Sequence, residues 1–324
     1  MHRNLIKSVG VCLIVFAGLL PLSGSLHAQE FPTKPINLVI PFGSGGSSDL
    51  TARTFVHLST EYLGQPMIIQ IKPGGGGAIG SEFVAQAKPD GHTLLLGHIN
   101  CNSILPAVEG RSKGPDDLAV VGQINTLYSM FVVQANSPFK TLKDMVEWAK
   151  ANPDRLTFGN IGNWGVTEFE WRYLASKTGM KTRMVPYDGG GEALIGLLGG
   201  HVQTAILAPT QSLPHIRAGK LRALAVTGPI RNSELPDVPA MTEEGYAVAV
   251  PGGVWKAVFA PKGTPQPVID KLSAAFKKMT ENKQAIASLK QIGDEFAFMG
   301  PDEFGKYWRS EFQNIKEMGK TLKK

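Results

Sequence analysis

Cysteine is almost missing from this chain of 324 residues, with only Cys12 and Cys101 present. Cys12 falls in an apolar leader, and Val11 stands before it where lipidation would want a small residue. Without Cys12, an intramolecular disulfide and a cysteine-based metal site are both excluded. Charge is sparse too, at 19% of residues, and aromatics make up 8%. The formal charge is +6. Removing Arg3 and Lys7 with the leader takes 33 basic residues to 31, against 27 acidic, or +4. The densest basic runs, Lys277-Lys278 and Lys323-Lys324, read as solvated helix faces. No basic stripe with interleaved aromatics occurs, so nucleic acid is not an expected partner. The mild positive balance suits an anionic small molecule.

Catalytic signatures are missing as well. There is no G-x-x-x-x-G-K-[ST] phosphate loop, no G-x-S-x-G nucleophile elbow and no H-E-x-x-H. The histidines beyond the leader (His57, His92, His98, His201 and His215) have no metal-ligand spacing. No cofactor and no metal are expected. His98 differs from the others in standing at the carboxyl end of a strand, where a binding role and a structural role are both open.

What is present begins with a leader. Arg3 and Lys7 precede an apolar run from Val9 to Leu22, and Ser25-Leu26-His27-Ala28 ends in a small residue. This pattern predicts a secretory signal peptide over 1–28, cleaved near Ala28. The run is short for a membrane span and no second long one follows, so a soluble periplasmic chain is expected. The roughly 296 residues that remain, in a chain 43% hydrophobic, are enough for two domains.

Strands and helices alternate from there. Residues 36–42 read as a strand, followed by Gly43-Ser44-Gly45-Gly46 and a helix with Leu50, Phe55, Leu58 and Tyr62 at helical spacing. The pattern repeats with a strand at 67–71, the loop "PGGGGAIG" and a helix through Phe83 and Val84, then a strand at 93–96. It continues with strands at 130–134, 156–159, 182–187, 202–207, 221–226 and 254–259, and helices at 141–151, 167–178, 191–198, 266–280 and 302–320. This spacing predicts an α/β architecture with parallel sheets and crossover helices. Ligands of such sheets sit beyond the carboxyl ends of the strands, where glycine loops expose backbone N–H groups and helix N-termini add positive potential.

Gly75 to Gly80 matches the dinucleotide expression G-x-G-x-x-G. The next strand, however, ends in Gly97-His98-Ile99-Asn100, with no acid for a ribose hydroxyl. A smaller anion is the better expectation.

The stretches "FPTKPINLVIPFGSGGSSDLTAR", "LGQPMIIQIKPGGGGAIGSEFVAQAKPDGHTLLLG", "MVPYDGGGEALIGLLGGHV" and "LPHIRAGKLRALAVTG" resemble the substrate-binding proteins of tripartite tricarboxylate transporters, the Bug family. The resemblance spans about residues 31–322 in order. It implies a type II periplasmic binding protein fold, with two α/β domains around a ligand cleft. The first domain would comprise 29–127 plus 254–324, and the second 128–253. The implied function is a non-enzymatic receptor, expected as a monomer, that closes on a small carboxylate and delivers it to membrane permease subunits.

By the same resemblance, one ligand carboxylate would meet backbone amides at Phe42, Gly43, Ser44, Gly45 and Gly46, and at Gly75, Gly76, Gly77 and Ala78. His98 and Asn100 would face the cleft from the third strand. Asn163, Trp164 and Thr167, with Tyr187 and Gly189, would face it from the second domain. Gln203 stands where the family usually has Asp, and Leu207-Ala208 where an Asp-Asn pair is common. These departures favour a ligand without an amine, a mono- or dicarboxylate. Glu168, where His is frequent, complicates that preference. Trp164 would either stack on an aromatic carboxylate or pack at the cleft rim. Two other readings remain open, an accessory protein for a sensor histidine kinase and an exported enzyme acting on a small carboxylate.

Overall fold

The computed structural model describes residues 31–187, 189–291 and 294–323. The leader and its cleavage point near Ala28 lie outside the described residues, as does Asp188. Among the described residues, no helix is long and apolar enough to cross a membrane.

Among the described residues, eleven strands form two sheets. The first sheet contains β1 (Ile36–Ile40), β2 (Met67–Ile71), β3 (Thr93–His98), β4 (Leu118–Leu127), β10 (Val254–Pro261) and β11 (Phe296–Met299), in the order β11-β4-β10-β3-β1-β2. The second contains β5 (Met130–Gln134), β6 (Thr157–Ile161), β7 (Arg183–Tyr187), β8 (Thr204–Leu207) and β9 (Leu221–Val226), in the order β7-β6-β8-β5-β9. The central strands are mostly apolar because both faces are covered, as in β10, where all eight residues are buried and only Lys256 is charged.

The parallel expectation needs correction. β1 pairs in parallel with β2 and β3, and β6 with β7 and β8. But β10 runs antiparallel to β3 and β4, and β5 antiparallel to β8 and β9. The cause is connectivity. The chain enters the second sheet at Met130, directly from the end of β4, and re-enters the first at Val254, so neither entry follows a crossover helix. β4 itself escapes a pattern search because Gln123 and Asn125 interrupt its apolar run. Both are buried, with Gln123 donating to the Ala297 carbonyl (3.0 Å) and Asn125 to Asp294 (2.7 Å).

Helices cover the sheets. Phe55 of α1 (Ser47–Leu63) packs edge-on against Phe276 of α8 (Gln266–Glu281) over one face of the first sheet. Trp255 and Phe259 meet Phe304 and Trp308 of α10 (Pro301–Leu322) on the other. Around the second sheet lie α4 (Leu142–Ala151), α5 (Val166–Thr178), α6 (Gly190–Leu198) and α7 (Pro209–Arg217). The short helices α2 (Ala78–Ala85) and α3 (Leu105–Glu109), with α9 (Lys283–Gln291), complete the chain. One apolar cluster includes Leu105, Val108, Trp255 and Trp308 together with Trp164 and Phe169, so residues attached to both sheets share a core.

Candidate functional site

The parallel strands end in glycine loops that lead straight into helices. After β1, Gly43, Ser44 and Gly45 are exposed, and Gly45 takes a left-handed φ of 77°. α1 then starts at Gly46 without a side-chain cap. After β2, the four glycines Gly74 to Gly77 all have positive φ, from 60° to 120°, and α2 follows at Ala78. A run of four such conformations is open to glycine alone among the common residues. At Gly77 space is restricted too, because a Cβ there would come within 2.8 Å of the Cys101 Cβ and 3.1 Å of the Phe42 ring.

The third strand completes this side. The Phe42 and His98 rings meet edge-on at 5.2 Å. The Asn100 amide donates to His98 Nδ1 (3.1 Å), and Asn100 Nδ2 donates to the Gly76 carbonyl (2.8 Å). Five residues expected at the site (Phe42, Gly76, Gly77, His98 and Asn100) are therefore in mutual contact. With Nδ1 accepting, the neutral ring carries its proton on Nε2. Burial, with a contribution from the nearby Lys256 charge, pushes the His98 pKa down to about 3. Near neutral pH, His98 is a neutral donor and contributes no positive charge to an anion site. Lys256, its cross-strand neighbour, is itself buried and bonded to Asp294 (2.7 Å) and Thr51 (3.2 Å).

A related arrangement starts α5. The Gly165 N-cap gives no side-chain bond, but Glu168, three residues on, is 1% exposed and reaches back. Its Oε2 accepts from the Trp164 amide (2.9 Å) and Asn160 Nδ2 (2.8 Å), and its Oε1 from Arg172 Nε (2.6 Å). The first loop has the same device. Asp49 Oδ2 accepts from the Gly45 amide (2.8 Å), and Arg53, four residues on, holds both oxygens at 3.1 Å. An acidic residue in the first turn is favoured by the helix dipole, and the arginine one turn later neutralises it. The sequence carries this signal twice, as Gly-x-x-Asp-x-x-x-Arg and Gly-x-x-Glu-x-x-x-Arg, but Asp49, Arg53 and Arg172 were not among the expected site residues, and Glu168 was noted only as a departure from the family pattern.

The remaining expected residues divide. Thr167 accepts from the Ile161 amide (3.3 Å) and closes the α5 loop, while exposed Asn163 reaches Glu109 (3.4 Å). Trp164 has a φ of 54°, unusual for a bulky residue. Only 8% of it is exposed, with the Arg172 guanidinium 4.8 Å and the Lys323 ammonium 6.0 Å from its ring. The indole is a packed side chain here, matching the rim alternative better than an open stacking face. Gly189 starts α6 with open space around it. Tyr187 directs its hydroxyl at α6, where a Cβ on Gly196 would clash with it. α7 begins after Leu207-Ala208 and also lacks a side-chain cap.

Gln203 stands apart from the other expected residues. It precedes β8, and its Oε1 accepts from the Thr157 amide (3.0 Å) at the start of β6. The ligand-facing loops leave the opposite ends of these strands, about 13 Å away for four residues of strand. Gln203 thus splices two strand starts and does not join the loops at 160–167.

The uncapped starts of α5, α6 and α7 follow strands that end on one side of the second sheet. α4 follows β5, which runs the other way, and has a complete capping box between Thr141 and Asp144. Three helix starts without a side-chain N-cap on one sheet, two of them with an acid (Glu168, Glu192) in the first turn, and the glycine loops on the other, offer backbone N–H groups to an anion. Among the described residues, no group of three or more His, Cys, Asp or Glu side chains could hold a metal ion.

Two mixed α/β sheets with glycine-rich, uncapped helix starts beyond the strand ends define a solute receptor of the periplasmic binding protein class. The sequence profile described as "Tripartite tricarboxylate transporter family receptor" matches residues 51–323. The chain belongs to this family. It is 31% identical over 320 residues to the protein BugT of Bordetella pertussis, covering 95% of this chain and 97% of that protein. Among solved structures, MatC from Rhodopseudomonas palustris with bound malate is 27% identical, with a TM-score of 0.81 and coverage of 89% of this chain and 100% of that one. A second R. palustris protein, solved with adipate, is also 27% identical, with a TM-score of 0.80 and coverage of 90% and 98%. Two further similar structures are described as a TctC solute binding protein from Polaromonas and the periplasmic binding protein BugD, 26% and 29% identical with TM-scores of 0.72 and 0.79.

Proposed function

We propose that this protein captures an amine-free mono- or dicarboxylate in the periplasm, as a monomer and without chemistry on it, and delivers it to the permease subunits of a tripartite transporter. Residues 29–127 with 254–324 would form one lobe and 128–253 the other, closing on the ligand about the crossings near Leu127 and Val254. The observation that carries this reading is the pair of glycine loops joined through side chains: Phe42, which leads into Gly43 to Gly46, packs on His98 and beside Gly77, and Asn100 holds the Gly76 carbonyl. Amide N–H groups in a shielded cleft bind carboxylate through charge-assisted hydrogen bonds and need no basic side chain. The ligands of the two R. palustris neighbours, malate and adipate, are both carboxylates without an amine. The packed state of Trp164 gives no support to an aromatic preference. Thermal unfolding with a panel of acids tests the reading. Malate, succinate or adipate should raise the melting temperature in proportion to the logarithm of concentration. Stabilisation by amino acids alone would overturn the ligand class, and consumption of the bound acid would overturn the receptor.

A further inference from the structure

Several buried side-chain atoms near the helix starts have no hydrogen-bond partner among the described residues. In the loops of the first sheet they are Ser47 Oγ, at the first position of α1, and Asn100 Oδ1, just past β3; Asp49 Oδ1 also lacks a hydrogen bond, and its charge is offset by the Arg53 ion pair at 3.1 Å. In the loops of the second they are Asn160 Oδ1, near the end of β6, and Thr210 Oγ1, in the first turn of α7. The four uncharged groups stand at the carboxyl ends of parallel strands or at the helix starts that follow, where a ligand of this fold sits. Asn100 and Asn160 are only 6% and 5% exposed.

The orientation of both amides is fixed by their nitrogens. Asn100 Nδ2 donates to the Gly76 carbonyl (2.8 Å). Asn160 Nδ2 donates to the Gly162 carbonyl (3.0 Å) and to Glu168 (2.8 Å). Turning either amide over would set an oxygen against an oxygen, so Oδ1 is the unpaired atom in each case. Each sheet thus presents one rigid carbonyl that can only accept. A carboxylate brings acceptors alone and leaves both carbonyls unsatisfied, a costly outcome for buried groups. Ser47 and Thr210 are hydroxyls and can donate to a carboxylate.

The missing partner is a donor on the ligand, either a hydroxyl or an ammonium. An ammonium drawn into the cleft needs a carboxylate to balance it. The two buried carboxylates at these helix starts, Asp49 and Glu168, are already held by Arg53 and Arg172. A hydroxyl carries no charge and needs none. We infer that the ligand is a hydroxy acid whose hydroxyl is read by the fixed side-chain carbonyls of Asn100 and Asn160. This inference rests on the carboxylate-receptor reading above and narrows it.

Calorimetric titration of the full exported chain, freed of co-purified ligand by unfolding and refolding, tests it with matched acids. Malate is compared with succinate and aspartate, 2-hydroxyglutarate with glutarate, and lactate with propionate. At least one hydroxy acid should bind ten times or more tighter than its deoxy partner, and malate more tightly than aspartate. Asn100→Leu also loses the bond to the Gly76 carbonyl, so affinity for both members of a pair should fall, but the hydroxy-to-deoxy ratio should move toward one. The wild-type comparison stands whether or not that variant folds. Equal affinity within every pair would overturn the inference and leave the receptor reading intact, with ordered water then satisfying the two carbonyls. Tighter binding of aspartate than malate would overturn the uncharged donor. Failure of every acid to bind would overturn both readings.

Discussion

Glu168 and Arg172 lie 2.6 Å apart one helical turn from each other, and the same acid–arginine pair recurs in the other sheet's first loop as Asp49 and Arg53. In each case the acid reaches back to a loop amide, of Trp164 or Gly45, so the pair sets the shape of the loop as well as its charge. Glu168→Ala should release the Trp164 amide, the Asn160 amide group and the Arg172 guanidinium together. Because Arg172 is about one-third exposed and recovers water, the expected loss is roughly 1–3 kcal/mol, below that of a fully buried pair. Urea unfolding measures it. Stability unchanged within error would show that the loop holds its shape without the pair.

The glycine cradle gives a paired prediction. Gly45 has φ 77° and open space for a Cβ, so Gly45→Ala should cost only the left-handed backbone penalty, roughly 1–2 kcal/mol. Gly77→Ala adds a clash at 2.8 Å with Cys101 Cβ to a φ of 96° and should cost more. Thermal unfolding orders the two variants, and malate or adipate titration should show the larger loss of affinity for Gly77→Ala. The reverse order would mean that Gly77 is not packed against Cys101 and Phe42.

Two buried acids tie stability to pH. Burial pushes the Glu170 carboxyl up to about 8, against a weaker opposing effect of Thr227, and the Glu311 carboxyl up to about 7, against hydrogen bonds from Tyr307, Trp255 and Ser103. Both start from an ordinary value of 4.5. Between that value and the raised one the folded chain holds a proton that the unfolded chain has lost. Stability from each group is therefore complete below 4.5 and falls as pH rises toward 7 or 8, by at most about 1.4 kcal/mol per pH unit per proton. Glu170→Gln should remove one such slope, so that the variant gains on the wild type from pH 5 to 8. Parallel denaturation profiles across that range would show that Glu170 ionises as freely in the fold as in the unfolded chain.

Much of this was legible in the sequence, for identifiable reasons. The β1–α1 and β2–α2 units carry apolar strands, glycine turns and helical periodicity in one order, and sequence and structure agree there. β4 was illegible because Gln123 and Asn125 are buried polar residues whose partners lie about 170 positions away, and no local pattern reports that. The π-helical turn at Asn100–Ile104 and α3 were hidden in the same way, by burial of polar Asn102 and Ser103 through long-range bonds. The position of Gln203 at a strand start was not legible because a motif gives sequence neighbours but not which end of a strand they occupy. Trp164 was readable as a large ring in a glycine loop, but the cations from α5 and the chain's far end that face it were not.

The central claim, that backbone amides of the two glycine loops hold a carboxylate, is tested most directly by amide NMR of the ligand-free protein titrated with malate, succinate or adipate. The account predicts downfield proton shifts concentrated in the amides of Gly43 to Gly46 and Gly74 to Ala78, as N–H groups turn from water to a carboxylate, with saturation at one ligand per chain. Saturable binding that leaves those amides unmoved, with the largest shifts elsewhere, would contradict it.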